Sequence, residues 1–305
     1  MENETKNIVS VVIPTYKRTV EYISRAVESV LNQTYPNVEI IVIDDSTSAY
    51  EKQKETEAYF ASLNRSNIIY LQNEENLGGS LTRNRGIKVA NGDYITFLDD
   101  DDEYLPEKIE KQLSFMQEND YDLTFTSLKI YSPDGAMVDY REHSAIKSFD
   151  NDNLFRYHMM RHATGTPTFM FKAEKLKEIG GFDKVKVGQE FHLMLKAILG
   201  NLKIGYMPEC YVKAYRHPDG GISGGTNKII GEKELFKFKQ QFFSQLTRKE
   251  VRFIKFRHHA VLAAGYKRNK IYGKMFIEAV KTVLISPLDF VREIFSFAKK
   301  ILSHR

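Results

Sequence analysis

Gly92-Asp-Tyr-Ile-Thr-Phe-Leu-Asp-Asp-Asp-Asp-Glu103 decides how the first half of this chain is read. Asn91-Gly92-Asp93 marks a turn, and Tyr94 to Leu98 is an apolar run of strand length. Asp99 to Asp102 then set four carboxylates side by side at its end. Like charges this close require a compensating cation. Hard oxygen ligands suit Mg2+ or Mn2+, ions that keep waters and bridge to phosphates, so a metal–diphosphate site is one reading of the run. The other is a solvated acidic turn ahead of the next helix, whose first turn Pro106 and Glu107 would fit. An EF-hand is excluded, because Tyr104 stands where that loop needs glycine.

Upstream, the same grammar repeats. Ile8 to Ile13 is a continuous apolar run, the pattern of a strand buried on both faces, with Pro14 expected to end it. Ile23, Ala26, Val27, Val30 and Leu31 recur at helical spacing, and Val38 to Ile43 is a second buried strand closing on Asp44-Asp45-Ser46. A polar helix over about Tyr50–Leu63, a strand over Asn67–Leu71 and a short helix over Leu81–Ala90 follow. Strands alternating with helices imply an open, mostly parallel α/β sheet that binds ligands at the carboxyl ends of its strands. Those ends are acidic here. Further on, Leu123–Thr126 and Thr168–Phe171 read as strands, and Phe191, Met194, Leu195 and Ile198 as one helix face.

With 305 residues, 42% hydrophobic and 28% charged, the chain can bury a sizeable core and is not expected to be disordered. The single cysteine, Cys210, excludes an internal disulfide or a thiolate zinc site and suits a reducing compartment. No signal sequence or membrane-spanning run is apparent, so a cytoplasmic protein is expected, either free or peripheral on the inner face of the membrane. From Arg248 onward there are 14 Lys/Arg against 4 Asp/Glu, which leaves the preceding body mildly acidic. That basic, helical segment, with Val291, Ile294, Phe295, Ala298, Ile301 and Leu302 in one stripe, fits an anionic membrane surface or a partner. Simple packing against the body, or a homo-oligomer contact, is the alternative. Nucleic acid is not an expected partner.

Asn76-Leu-Gly-Gly-Ser-Leu-Thr-Arg-Asn-Arg-Gly86 opens a helix with glycines and arginines, a setting for phosphates. No GxGxxG follows the first strand, which argues against a dehydrogenase. Taken with Val9-Ser-Val-Val-Ile-Pro-Thr-Tyr-Lys17, Glu39-Ile-Ile-Val-Ile-Asp-Asp-Ser46 and the acidic run, the chain resembles the inverting family 2 glycosyltransferases of the GT-A fold over about residues 7–225.

The resemblance implies a Rossmann-like, mostly parallel open sheet flanked by helices, with a C-terminal helical extension. Residues 1–225 would be the catalytic domain, with a nucleotide-sugar half to about 103 and an acceptor half from 104. Residues 226–305 would be the basic helical region. It also implies a nucleotide diphosphate-sugar donor, UDP-linked by preference, a divalent cation (Mn2+ or Mg2+), and an acceptor hydroxyl on a cell-surface glycan or lipid-linked glycan. Pro14, Thr15, Tyr16, Asp45, Arg83, Asp99 and Asp100 would meet the donor, and Asp99 and Asp101 the metal. His217, in Tyr215-Arg-His-Pro-Asp-Gly-Gly221, matches a late loop that reaches the metal in some members. Glu190 would be the general base, although Gln189-Glu190 stands where many members have Glu-Asp. As a residue in isolation, Glu190 equally fits an acid favoured at a helix N-terminus. A sugar nucleotidyltransferase or a non-catalytic glycan-binding relative are the other readings. The first would need a glycine-rich basic loop where Pro14-Thr-Tyr-Lys-Arg18 stands.

Overall fold

The computed structural model describes residues 7–163, 165–216 and 225–303. Chain order in the first half is β1 (Val9–Thr15), α1 (Val20–Leu31), β2 (Val38–Asp44), α2 (Gln53–Leu63), β3 (Ile68–Gln72), α3 (Gly79–Val89), β4 (Tyr94–Phe97), β5 (Glu103–Tyr104) and α4 (Lys108–Glu118). There follow β6 (Leu123–Thr126), β7 (Leu128–Tyr131), β8 (Met137–Arg141), α5 (Asn151–Arg161), β9 (Met170–Lys172), α6 (Ala173–Glu178), α7 (Gln189–Leu199), β10 (Ile204–Met207) and β11 (Val212–Tyr215). Four helices close the chain: α8 (Gly225–Gln240), α9 (Arg248–Arg268), α10 (Tyr272–Ile285) and α11 (Pro287–Ser303).

The chain divides into two compact units, one of Met1–Phe155 and Ala163–His217, the other of Arg156–His162 and Pro218–Arg305. This places the second half of α5, from Arg156, and His162 after it with the C-terminal helices; position 225, where the sequence suggested a boundary, is the first residue of α8.

The first unit holds a seven-stranded sheet in the order β10-β6-β9-β4-β1-β2-β3. Only β9 runs against its neighbours, pairing antiparallel with both β4 and β6. The centre of the sheet is fully buried: Val9, Val11, Val12 and Ile13 of β1 and Ile40 to Ile43 of β2 expose nothing, which is why both segments read as unbroken apolar runs. On α1, Ile23, Ala26, Val27 and Val30 all face the core, as their spacing requires. A smaller sheet, β5-β11-β7-β8, lies beyond.

Pro14 does not end β1. The strand continues to Thr15, in register with Asp44 of β2. The ladder to β4 stops at Val12–Phe97, and Asp45 N–H reaches the Thr15 carbonyl at 2.8 Å. Pro14 therefore turns its missing N–H toward the side where no strand remains to be paired.

Beneath the end of β4, Lys108 is fully buried. Its Nζ donates to Thr96 Oγ1 at 2.5 Å and lies 4.1 Å from the ring centroid of Tyr104. Burial pushes its ammonium group well below the usual lysine range. The unfolded chain keeps that proton up to the ordinary value of 10.5 while the folded protein has already released it, so stability rises with pH between the two values. Lys108→Met removes this contribution. Urea unfolding across the neutral to alkaline range is expected to show the wild type gaining on the variant by up to about 1.4 kcal/mol per pH unit. Parallel pH curves would mean that Lys108 stays charged in the fold.

Candidate active site

Three parallel strand ends, those of β2, β1 and β4, bring Asp45, Thr15 and the acidic run to one edge of the sheet. The run is not a solvated helix cap. Asp100 and Asp102 are buried, and β5, paired with β11, separates the run from α4.

Each carboxylate has a partner, and Arg18 serves two of them. Asp100 accepts from Thr15 Oγ1 at 2.7 Å and from Arg18 Nε at 3.2 Å. Arg18 also reaches Asp101, and Arg25 donates to the Asp101 carbonyl at 2.7 Å. Asp99 is held by Arg83. Asp102 accepts the backbone N–H of Tyr215 at 3.0 Å, which ties the run to β11. Burial, and then the charge of Asp101, pushes the Asp100 carboxyl up to about 7. Burial and the neighbouring Asp99 and Asp101 hold Asp102 well above the usual carboxylate range. The site thus concentrates negative charge and answers it with the guanidinium groups of Arg18, Arg25 and Arg83.

Each residue of the segment Arg83-Asn84-Arg85-Gly86 of α3 makes a contact of its own. Arg83 bridges Asp99 and Gln189, donating to Gln189 Oε1 at 2.9 Å. Asn84 clasps Phe182 in both directions, Nδ2 to the Phe182 carbonyl and Phe182 N–H to Oδ1, each at 2.8 Å. Arg85 donates to the Gln72 carbonyl at 2.6 Å and thereby anchors the helix to the end of β3. Gly86 lies flush on β1, where an added Cβ would stand 2.3 Å from Val12 Cγ1.

The clasp and the bridge together bring the start of α7 to the acidic run. Gly188, in the left-handed region at φ 78°, turns the chain into α7, and Glu190 is its second residue, half-buried. Phe191, Met194, Leu195 and Ile198 fix the helix by burying the face that their spacing indicated. Asp45 is engaged otherwise. Its carboxylate accepts from Asn73 Nδ2 at 2.7 Å and from the backbone N–H of Leu77 and Gly78 at 2.8 Å, so it shapes the loop that launches α3.

Thr15, Arg83, Asp99, Asp100 and Asp101 therefore form one cluster. Pro14 and Tyr16 flank it, Pro14 half-buried and Tyr16 exposed with Lys17 Nζ 5.3 Å from its ring centroid. His217 lies outside the described residues. Sequence reasoning assigned no role to Arg18, whose side chain is delivered by a left-handed Lys17 at φ 52° that no turn residue announces. It also treated Gln189 only as a departure, whereas Gln189 is the contact that Arg83 makes on α7.

A mostly parallel sheet with one reversed strand, flanking helices and an acidic run after β4 is the GT-A architecture. S. aureus TarS 1-349, solved in complex with UDP-GlcNAc, shares the fold at a TM-score of 0.59 and 18% identity over 91% of each chain; a longer TarS structure is matched over 43% of its length. The chain belongs to glycosyl transferase family 2, whose model matches residues 10–180. An uncharacterized glycosyltransferase of Methanocaldococcus jannaschii is 30% identical over 215 residues, 70% of this chain and 72% of its own. TuaG of Bacillus subtilis, named for teichuronic acid biosynthesis, is 30% identical over 243 residues, 77% of this chain and 88% of its own.

Proposed function

We propose that this protein is an inverting transferase that moves a sugar from a nucleotide diphosphate-sugar, preferentially UDP-linked, to a hydroxyl of a cell-surface or lipid-linked glycan. The observation that carries this reading is the Arg83 bridge, which brings α7 and its Glu190 to the carboxylate run. TarS, of like fold, was solved with UDP-GlcNAc, which supports the UDP preference, and TuaG supports an envelope glycan as acceptor.

The residues fit a divalent cation. Asp99 and Asp101 offer hard oxygen donors, and among the described residues no group of three His, Cys, Asp or Glu side chains is placed to hold a metal ion. Mg2+ and Mn2+ take such oxygen donors together with waters and phosphate oxygens. Asp101, with Asp99, would hold the ion. When bound it neutralises charge on the departing diphosphate. Thr15 and Asp100 line the edge where the nucleoside sits, and Asp45 keeps that edge in shape through the loop at Leu77–Gly78. Arg18 and Arg83, released from their carboxylates, answer diphosphate charge. Glu190 takes the proton of the acceptor hydroxyl as its oxygen bonds to the anomeric carbon. The bond to the diphosphate breaks on the opposite face, the electron pair leaves with the nucleotide, and the configuration inverts.

The test is a thermal-shift panel of UDP-, GDP- and dTDP-sugars with Mn2+ or with chelator, on wild type and Asp101→Ala. Ligand at 100 times its dissociation constant adds about 2.7 kcal/mol to apparent stability. One nucleotide class is expected to shift the wild type only with metal and the variant not at all. Absence of any shift at saturating donor would overturn the site. Donor binding without release of nucleotide to any acceptor or to water would make the protein a binding relative rather than an enzyme.

A further inference from the structure

The last two described helices leave a broad apolar face in solvent, although Met275 packs inward against Leu262 and Tyr266. A helix of a water-soluble unit packs its apolar stripe inward and leaves its charges in solvent. On α10, Tyr272, Phe276, Val280 and Leu284 follow one another at four-residue spacing and all are exposed, Phe276 at 66% and Leu284 at 74%. On α11, Leu288 is 68% exposed and Phe295 71%. The inward faces carry the acids instead. Glu278 pairs with His259 of α9, Asp289 is buried and accepts from Ser286 Oγ at 2.6 Å, and Glu293 pairs with Arg161 at 2.7 Å. These are the only carboxylates between 267 and 295, whereas Lys270, Lys274, Lys281 and Arg292 are exposed. The outer face is therefore apolar with basic residues beside it, of which Lys281 and Arg292 also reach Glu278 and Asp289.

We propose that the outer faces of α10 and α11 dock on an anionic lipid bilayer, their apolar side chains entering the interface while the basic residues meet lipid phosphates. A contiguous apolar surface of this kind marks an interaction site. Its charge selects the occupant. A second copy set face to face would bring Lys270 and Lys274 up against their like with no carboxylate of this stretch left over, since Glu278 pairs with Lys281 and with His259, Asp289 lies 4.0 Å from Arg292 and Glu293 pairs with Arg161, whereas an anionic headgroup layer answers the remaining cations. α10 has 14 residues and, among the described residues, no helix is long and apolar enough to cross a membrane. Both helices lie in the interface, as amphipathic helices with basic flanks do. This inference does not rest on the reading of the donor site.

The test is flotation of the full chain with phosphatidylcholine vesicles, with and without phosphatidylglycerol, alongside size-exclusion chromatography with light scattering. Wild type is expected to float with the anionic vesicles only, and less so as salt rises. Phe276→Glu with Leu284→Glu should abolish flotation, and Lys274→Gln with Arg292→Gln should weaken it about fivefold per charge. All four positions are exposed, so melting curves should match the wild type. Failure of wild type to float, or flotation of the Phe276→Glu, Leu284→Glu variant like wild type, overturns the proposal. A wild-type dimer that this variant converts to monomer, without vesicle binding, assigns the face to a second copy instead.

Discussion

Glu190→Gln is expected to lower turnover by about 10²–10⁴-fold, the range that a positioned general base contributes, while donor affinity should stay at its wild-type value. The measurement is nucleotide release from the donor, with glycan or water as acceptor, beside a binding titration. The separation of the two readouts is what makes the test specific. Glu190 faces the acceptor proton in this mechanism and has no part in holding the nucleotide, so a variant that loses affinity and turnover together would point to a structural role at the start of α7. Unchanged turnover would place the base elsewhere. Gln189→Ala is the natural companion, because it removes the Arg83 contact but leaves the carboxylate. A smaller loss is expected there, through misplacement of α7 rather than loss of the proton acceptor.

Gly86→Ala is the second large effect, and here two forces oppose each other. Alanine improves helix propensity by about 1 kcal/mol over glycine. Its Cβ, however, would sit 2.3 Å from Val12 Cγ1 on the fully buried central strand, far inside any tolerated contact. Overpacking of this kind costs about 1–3 kcal/mol, and Gly86→Val should lie at or beyond the upper end. Melting temperature should fall by about 2–4 °C per kcal/mol in a unit of this size. Adding Val12→Ala to Gly86→Ala opens the space again and should recover part of the loss, a coupling that unrelated sites do not show. A Gly86→Ala protein more stable than wild type would mean that α3 stands further from β1.

Much of this was legible in the residues themselves. β1, β2 and β4 are buried on both faces, and that condition writes itself as unbroken apolar runs. α1 and α7 carry their spacing plainly. By contrast β5, β7 and β11 have two to four residues each, too few for any period to emerge, and β8 is exposed at Met137 and Val138. The strand expected at Thr168–Phe171 starts two residues later, at Met170, and ends at Lys172, after a short 3-10 turn at Thr166–Thr168, and its reversed direction follows from pairing that no local pattern encodes. In the site, Thr15, Arg83 and the aspartates were marked by motif. Arg18 was not, because its place depends on a backbone angle at Lys17. On α11 the stripe at Val291, Ile294 and Phe295 is exposed, while Ala298, Ile301 and Leu302 lie outside the residues whose side chains are described.

The position of β9 has a consequence for how the chain is made. β4 leaves the ribosome with one edge unpaired, and the strand that covers that edge is encoded far downstream; Thr96 waits for the carbonyl of Phe169, 73 residues later. At about 5–20 residues per second of synthesis, the nascent sheet exposes an open, largely apolar edge for several seconds. Such an edge is a template for pairing with other chains. The half of the fold that holds the acidic run is thus the half most in need of a chaperone, and fragments ending before residue 170 should aggregate rather than fold.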